Sequence, residues 1–211
     1  MKLAAILLLA VRLFAQPVLT LTGPATVASG QSATLTVSLS GTSGQNLAAV
    51  QWTITAPASL TWSTPTISAG AAALGKGVYC NPTSGVCVAL GATNATPPVL
   101  SATPFTDGAV ASLPATFSMA PGTVSLPLSS LLGASTAAAA VSVGSGAVFT
   151  LTVTPSHCDY NGDGKVDVND ALAVISAVIG QTTCSASFAA GCSLHSLQAI
   201  VVAALGGACS L

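Results

Sequence analysis

The chain is predicted to be mainly β, a β-sandwich followed by a small α-helical module. Three observations carry that prediction. From residue 18 to about 155 apolar residues alternate with Ser and Thr; Gly, Pro, Asn and Asp break the alternation into short runs; and near residue 156 the apolar spacing changes to every third or fourth residue. Period two buries one face of each run, and many short strands of this kind build a sandwich around one core.

Residues 1–15 read as a signal peptide, with Lys2 before the apolar stretch Leu3 to Ala10 and a cleavage site after Leu13-Phe14-Ala15. Residues 16–155 form the sandwich. In "ATLTVSLS" the inward set is Ala33, Leu35, Val37 and Leu39; the same phase recurs in Val50, Trp52 and Ile54, in Ala115, Phe117 and Met119, in Val124, Leu126 and Leu128, and in Phe149, Leu151 and Val153. Turns fall at Gly23-Pro24, Ser29-Gly30, Asn81-Pro82, Pro97-Pro98, Asp107-Gly108 and Pro121-Gly122. Residues 156–211 form the helical module. One helix carries Leu172, Ile175 and Ile179 on one face, with Val174 and Val178 beside it, and ends at Gly180; a second runs from Leu197 to Leu205. A shift of 27 residues lays "DALAVISAVIG" on "LQAIVVAALGG", matching Gly164 with Gly191 and Gly180 with Gly207, an internal repeat of a loop and a helix.

Composition narrows the function. The chain is 51% hydrophobic and 4% charged. Beyond residue 15 it keeps two basic residues, Lys76 and Lys165, too few for the phosphates of a nucleic acid. No run reaches the roughly 20 apolar residues of a membrane-spanning helix. All six cysteines follow the signal segment, which implies disulfides and a secreted, extracellular protein.

Four of the five acidic residues lie in "DYNGDGKVDVND", residues 159 to 170. A hard dication takes six or more oxygens, and a twelve-residue loop supplies them from positions 1, 3, 5, 7, 9 and 12. Those positions hold Asp159, Asn161, Asp163, Lys165 through its carbonyl, Asp167 and Asp170, and Gly164 stands at position 6, where the chain turns sharply. The loop is therefore expected to bind one calcium ion, which offsets the repulsion of its carboxylates. Under the 27-residue shift the second loop carries Ala186, Phe188, Ala190, Cys192, Leu194 and Leu197 at these positions and has no ligand set. A Cys184–Cys192 disulfide is expected to close it in place of a metal, with Cys158–Cys209 clasping the ends of the module and Cys80–Cys87 closing a hairpin.

The expectation is that the chain is not an enzyme. Outside the loop only Asp107 is acidic, no Glu is present, and glycoside hydrolysis needs a carboxylate pair. His157 and His195 do not make a zinc site, and no Gly-x-Ser-x-Gly elbow occurs. Trp62 and Tyr79 are isolated aromatics that leave sugar binding open.

The motif Asp-x-Asn-x-Asp-Gly-x-Val-Asp-x-x-Asp, followed by an apolar helix, a linker and a second copy, makes residues 157 to 209 resemble a type I dockerin. That family has two calcium loops, of which one is degenerate here. The resemblance implies an EF-hand-like module whose partner contacts lie at Val168, Asn169 and the helix face after Asp170. The stretches "TVASGQSATLTVSLSG", "NLAAVQWTIT", "FTDGAVASLPATFSM" and "GAVFTLTV" resemble, more loosely, a cohesin, the jelly-roll sandwich that receives dockerins. An immunoglobulin-like or fibronectin-like sandwich gives the same alternation, and cohesins share their fold with carbohydrate-binding modules. Together the resemblances imply a secreted, non-catalytic assembly protein with a partner of cohesin or dockerin type, linked to extracellular polysaccharide degradation. The alternative is a carbohydrate-binding module or a surface structural or adhesion protein with a polysaccharide partner.

Overall fold

A computed structural model describes residues 15–81, 83–91, 103–185, 188, 190–207 and 209–211. Residues 1–14 of the signal segment and the Pro97-Pro98 turn lie outside the described residues. Three sheets make up the sandwich. The first orders β13 (Gly144–Ser145), β1 (Val18–Thr22), β3 (Ser32–Ser40), β9 (Gly108–Phe117) and β5 (Leu60–Trp62), with β6 (Thr66–Ile67) also on β9. The opposite sheet orders β12 (Ala140–Val141), β11 (Leu128–Ser135), β4 (Leu47–Ile54), β8 (Val86–Gly91) and β7 (Lys76–Cys80). A three-stranded sheet orders β10 (Gly122–Leu126), β14 (Phe149–Thr154) and β2 (Thr26–Ala28).

Alternation fixes the register. On β3 Leu35, Val37 and Leu39 are buried, and they stand opposite Leu113 and Ala111 of β9 on one side and Leu21 and Leu19 of β1 on the other. A slip of one residue would turn all of these apolar groups to water. From the opposite sheet Leu47, Val50, Trp52 and Ile54 complete the core. Trp52 is fully buried, in phase with Val50 and Ile54, and its Nε1 has no hydrogen-bond partner.

Strand β11 breaks its alternation. Its pairing with β4 shifts between Ser129 and Leu132, and Ser130 adopts a φ of 50°. The irregularity lets Leu128 and Leu131 both pack on the core while Leu132, paired with Gln51, faces outward. A short helix absent from the sequence reading, α1 (Ala69–Ala73), is capped by Ser68, whose Oγ accepts from the Ala71 amide.

Beyond the sandwich lie α2 (Val168–Val178) and α3 (Leu194–Ala204), which share a small core of Cys158, Ala171, Val174, Phe188, Ala199 and Ile200. The helix starting at Leu197 in the sequence reading starts at Leu194, because Ser193 caps it and accepts from the Ser196 amide. The two helices are in register at a shift of 26 residues, with Gly180 and Gly206 as the positive-φ residues that follow them. The 27-residue shift aligns Gly164 with Gly191 instead; the second unit has one residue fewer between that glycine and its helix cap.

Two charged groups serve the sandwich. Lys76 is buried, donates from Nζ to the Ala48 carbonyl at 2.8 Å and lies 5.0 Å from the centre of the Phe105 ring; burial pushes its pKa down. Asp107 accepts from the Thr42 hydroxyl at 2.6 Å and the Thr42 amide at 2.8 Å, and these bonds hold its carboxyl below the usual carboxylate range. A depressed carboxylate pKa contributes stability above the unfolded-state pKa, and that contribution is lost as pH falls through the folded-state value. The thermal midpoint of the D107N variant is therefore expected to fall less steeply than that of the wild type on acidification below about pH 4, as read by calorimetry. Trp52→Ala is expected to cost about 3–5 kcal/mol in denaturant unfolding, since the sheets cannot close over the space.

Candidate functional site

The acidic loop runs from Asp159 to Asp170 and is stapled by its own side chains. Asp159, nearly buried, accepts at Oδ1 from the amides of Gly162 and Asp163 and at Oδ2 from that of Gly164. Asn161 Oδ1 accepts from the Asp163 amide at 2.9 Å, and Asp163 Oδ1 from the Lys165 amide at 2.9 Å. At the far end Asp170 is fully buried: Oδ1 accepts from Tyr160 and Asn161, and Oδ2 from the amide of Asp167. Asp167 caps α2, accepting from the Asn169 amide at 2.7 Å in a reciprocal capping box with Asp170.

A metal is not the only local source of neutralisation, because every aspartate of the loop accepts main-chain N–H groups, whose partial positive charge opposes the carboxylates. The chemistry of the donors still suits a hard cation. An ionised carboxylate has about four lone-pair sites, and Asp159 and Asp170 use three each while Asp163 and Asp167 use fewer. Gly164 is at φ 88°, the left-handed conformation that position 6 requires. The Lys165 side chain is exposed. Among the described residues no three His, Cys, Asp or Glu side chains converge as a metal-binding group.

The second unit is built differently. At the 26-residue shift Ser193 and Ser196 take the places of Asp167 and Asp170. Ser196 is buried and donates to the Gly191 carbonyl at 2.6 Å. Cys184 and Cys192 are bonded across this loop, Cys158 and Cys209 join the ends of the module, and Cys80 and Cys87 bridge a cross-strand pair of β7 and β8. Tyr160 links the two loops: its hydroxyl accepts from the Ser185 amide at 3.0 Å and its ring meets Phe188 edge-on at 5.1 Å.

The apolar face of α2 is divided in a way its spacing does not reveal. Ala171 and Val174 are buried against α3, whereas Val168, Leu172, Ile175 and Ile179 form an outward stripe, with Val168 64% and Leu172 55% exposed. Asn169 is exposed beside Val168. The acidic loop also rests on the sandwich. Ser29 Oγ donates to the Met119 carbonyl at 2.7 Å and reaches the Gly164 carbonyl at 3.3 Å, and a Cβ on Gly164 would come within 3.1 Å of Pro121. A cavity of about 460 Å³ lies along this seam, between Gln31, Thr116 and Met119 on one side and Asp163, Lys165 and Gly206 on the other.

The aromatic residues do not form a platform. Trp62 is half-buried on the core beside a cleft of about 270 Å³ next to the Cys80–Cys87 bridge, while Tyr79 is 53% exposed on the outer face of β7. His157 and His195 are both exposed, one in the connection between the units and one on α3.

No family model and no curated protein sequence matches the chain. Solved structures do. A non-cellulosomal cohesin from the archaeon Archaeoglobus fulgidus is 11% identical, with a TM-score of 0.51 over 66% of this chain and 92% of that one. A type I cohesin–dockerin complex from Clostridium thermocellum matches at 10% identity and a TM-score of 0.51, over 66% of this chain and 100% of the other. The third ScaC cohesin of Acetivibrio cellulolyticus, solved with the ScaB dockerin, matches at 11% identity and 0.51, over 65% and 99%. The sandwich thus resembles cohesin modules in fold, across two thirds of the chain.

Asp170→Ala is expected to destabilise the helical module by about 3 kcal/mol, because three amides lose a charged acceptor in a buried place. Amide exchange should accelerate at Tyr160, Asn161 and Asp167, with the strands of the sandwich unchanged.

Proposed function

We propose that the chain is a secreted, non-catalytic assembly protein, in which a cohesin-like sandwich and a calcium-binding, dockerin-like module each engage a protein partner. The observation that carries this reading is the likeness of the sandwich to cohesin modules, two of which were solved with dockerins. The boundaries follow the sequence: a signal peptide over 1–15, the sandwich over 16–155, and the module over 156–211. Disulfides in both units suit an oxidising, extracellular setting. A site in a complex that degrades polysaccharide is part of the same proposal.

Calcium would be held by Asp159, Asn161, Asp163, the Lys165 carbonyl, Asp167 and Asp170, one ion in all, and it would supply charge neutralisation and rigidity to the loop. The chain's own part is to pre-shape that loop through its amide-to-carboxylate bonds and to turn Val168, Asn169 and the α2 stripe outward as the partner contact. The absence of a second acidic loop restricts the ion to one half of the module. The scatter of Trp62 and Tyr79 over different faces gives direct sugar binding little support.

Calorimetric titration with calcium is expected to give one ion per chain. At a hundredfold excess over its dissociation constant the ion should stabilise the module by about 2.7 kcal/mol. Asp159→Ala and Asp163→Ala should abolish that gain, and chelation should lower the unfolding midpoint of the tail alone. A tail whose circular dichroism and stability ignore both chelator and substitutions would mean that its disulfides hold it without a metal.

A further inference from the structure

Asn161 is followed by Gly162, the one Asn-Gly pair in the chain. Such a pair carries its own reagent. The main-chain nitrogen of the second residue can attack the side-chain amide carbon of the first, and glycine, with no Cβ, puts nothing in the way. The other asparagines precede Leu47, Pro82, Ala95 and Asp170, where a side chain crowds the approach or, at proline, no N–H exists. Asn161 and Gly162 are both exposed, so water reaches the pair.

The closed loop holds each group of that reaction out of play. The Gly162 N–H, whose nitrogen is the nucleophile, donates to Asp159 Oδ1 at 2.8 Å. A carboxylate at that distance opposes the loss of the amide proton on which attack depends. The Asn161 side chain is tied at both ends: Oδ1 accepts from the Asp163 amide at 2.9 Å, and Nδ2 donates to Asp163 Oδ2 at 3.2 Å. In the same loop Asp163 and Gly164 form a related pair, a side-chain carboxyl before a glycine, and there too Asp159 takes the glycine N–H, through Oδ2 at 2.8 Å. One carboxylate thus restrains both glycine amides, one on each oxygen.

We propose that Asn161 is a site of spontaneous covalent modification guarded by Asp159: it converts to aspartyl and isoaspartyl when the loop opens and is preserved while the loop is closed. In the open loop the Gly162 nitrogen gives its proton to solvent and bonds to Cγ of Asn161; the Cγ–Nδ2 bond breaks, and Nδ2 takes a proton from solvent and leaves as ammonia. Water then opens the five-membered imide. Its attack at Cγ yields aspartate, and its attack at the main-chain carbonyl carbon of Asn161 yields isoaspartate, in which the chain runs through the side-chain carbon. No oxidant, reductant or cofactor enters. Either product puts a fifth carboxylate in the loop and removes the Nδ2 donor to Asp163, which opposes reclosure. An opening is thereby recorded in the chain itself, as one added negative charge.

The guarding bonds are the chain's own, so the inference stands apart from the calcium reading. Peptide mapping by mass spectrometry with isoaspartate detection, on the full chain in mildly alkaline buffer with chelator, tests it whether or not the loop takes an ion. The native wild type is expected to keep Asn161, and the reduced, denatured chain to convert it at least about tenfold faster, the factor that one hydrogen bond to a charged acceptor supplies. Asp159→Asn keeps the shape but removes the charge and one acceptor oxygen, and should move the native rate toward the denatured one with circular dichroism unchanged. Asn161→Gln should abolish the signal. If Asp159→Asn unfolds the module, the wild type alone decides: its conversion should rise with low denaturant in step with hydrogen exchange at the Gly162 amide. A native chain that converts as fast as the denatured one, a folded Asp159→Asn chain no faster than the wild type, conversion that does not follow Gly162 exchange, or modification mapped to another asparagine overturns the proposal.

Discussion

Main-chain amides are the groups that the acidic residues of this protein bind, and much of the architecture follows from that pairing. Asp107 holds Thr42 at the end of a strand; Asp159 and Asp170 each gather three amides, Asp167 two and Asp163 one. An amide acceptor that is ionised makes a stronger bond than a neutral one. In a chain with so few charges, placing them at loop ends is an effective use: each carboxylate fixes several backbone torsions at once. The loop that results offers its remaining lone pairs in a set order.

The sandwich depends on a complementary constraint, the burial of one face of each strand. Where alternation is strict, as on β3, neighbours follow from sequence phase alone. Where it slips, as on β11, an irregular step turns one leucine out and leaves two turned in. That local exception builds the outer face of the sheet, so the irregularity and the exposed Leu132 are one feature seen from two sides.

How far the sequence revealed this depends on the range of the interactions. The period-two runs disclosed the mainly β sandwich and the burial of Trp52, because a strand's pattern is local and its partner is another strand with the same pattern. The short strands β5 and β6 and helix α1 were not legible: two to five residues carry too little periodicity. The repeat was visible but its shift was one residue too long, since glycines in the loops were matched where helix caps govern the geometry. Ser193 begins α3 earlier than its apolar residues suggested. Leu172, Ile175 and Ile179 were legible as a face of α2, but which face turns inward was decided by Ala171, small enough to bring α3 close. The amide partners of the carboxylates depend on how the loop closes, and the contact between Gly164 and the sandwich depends on residues more than forty positions away.

The bond between Cys158 and Cys209 has a mechanical consequence. It joins the first and last parts of the helical unit, whose Cα atoms are 5.9 Å apart although 51 positions separate them. Tension pulling the sandwich away from whatever follows Cys209 travels straight across the sulfur bridge. The helices and the acidic loop hang beside that load path as a slack loop, so a pull strong enough to straighten the connection would leave their shape intact.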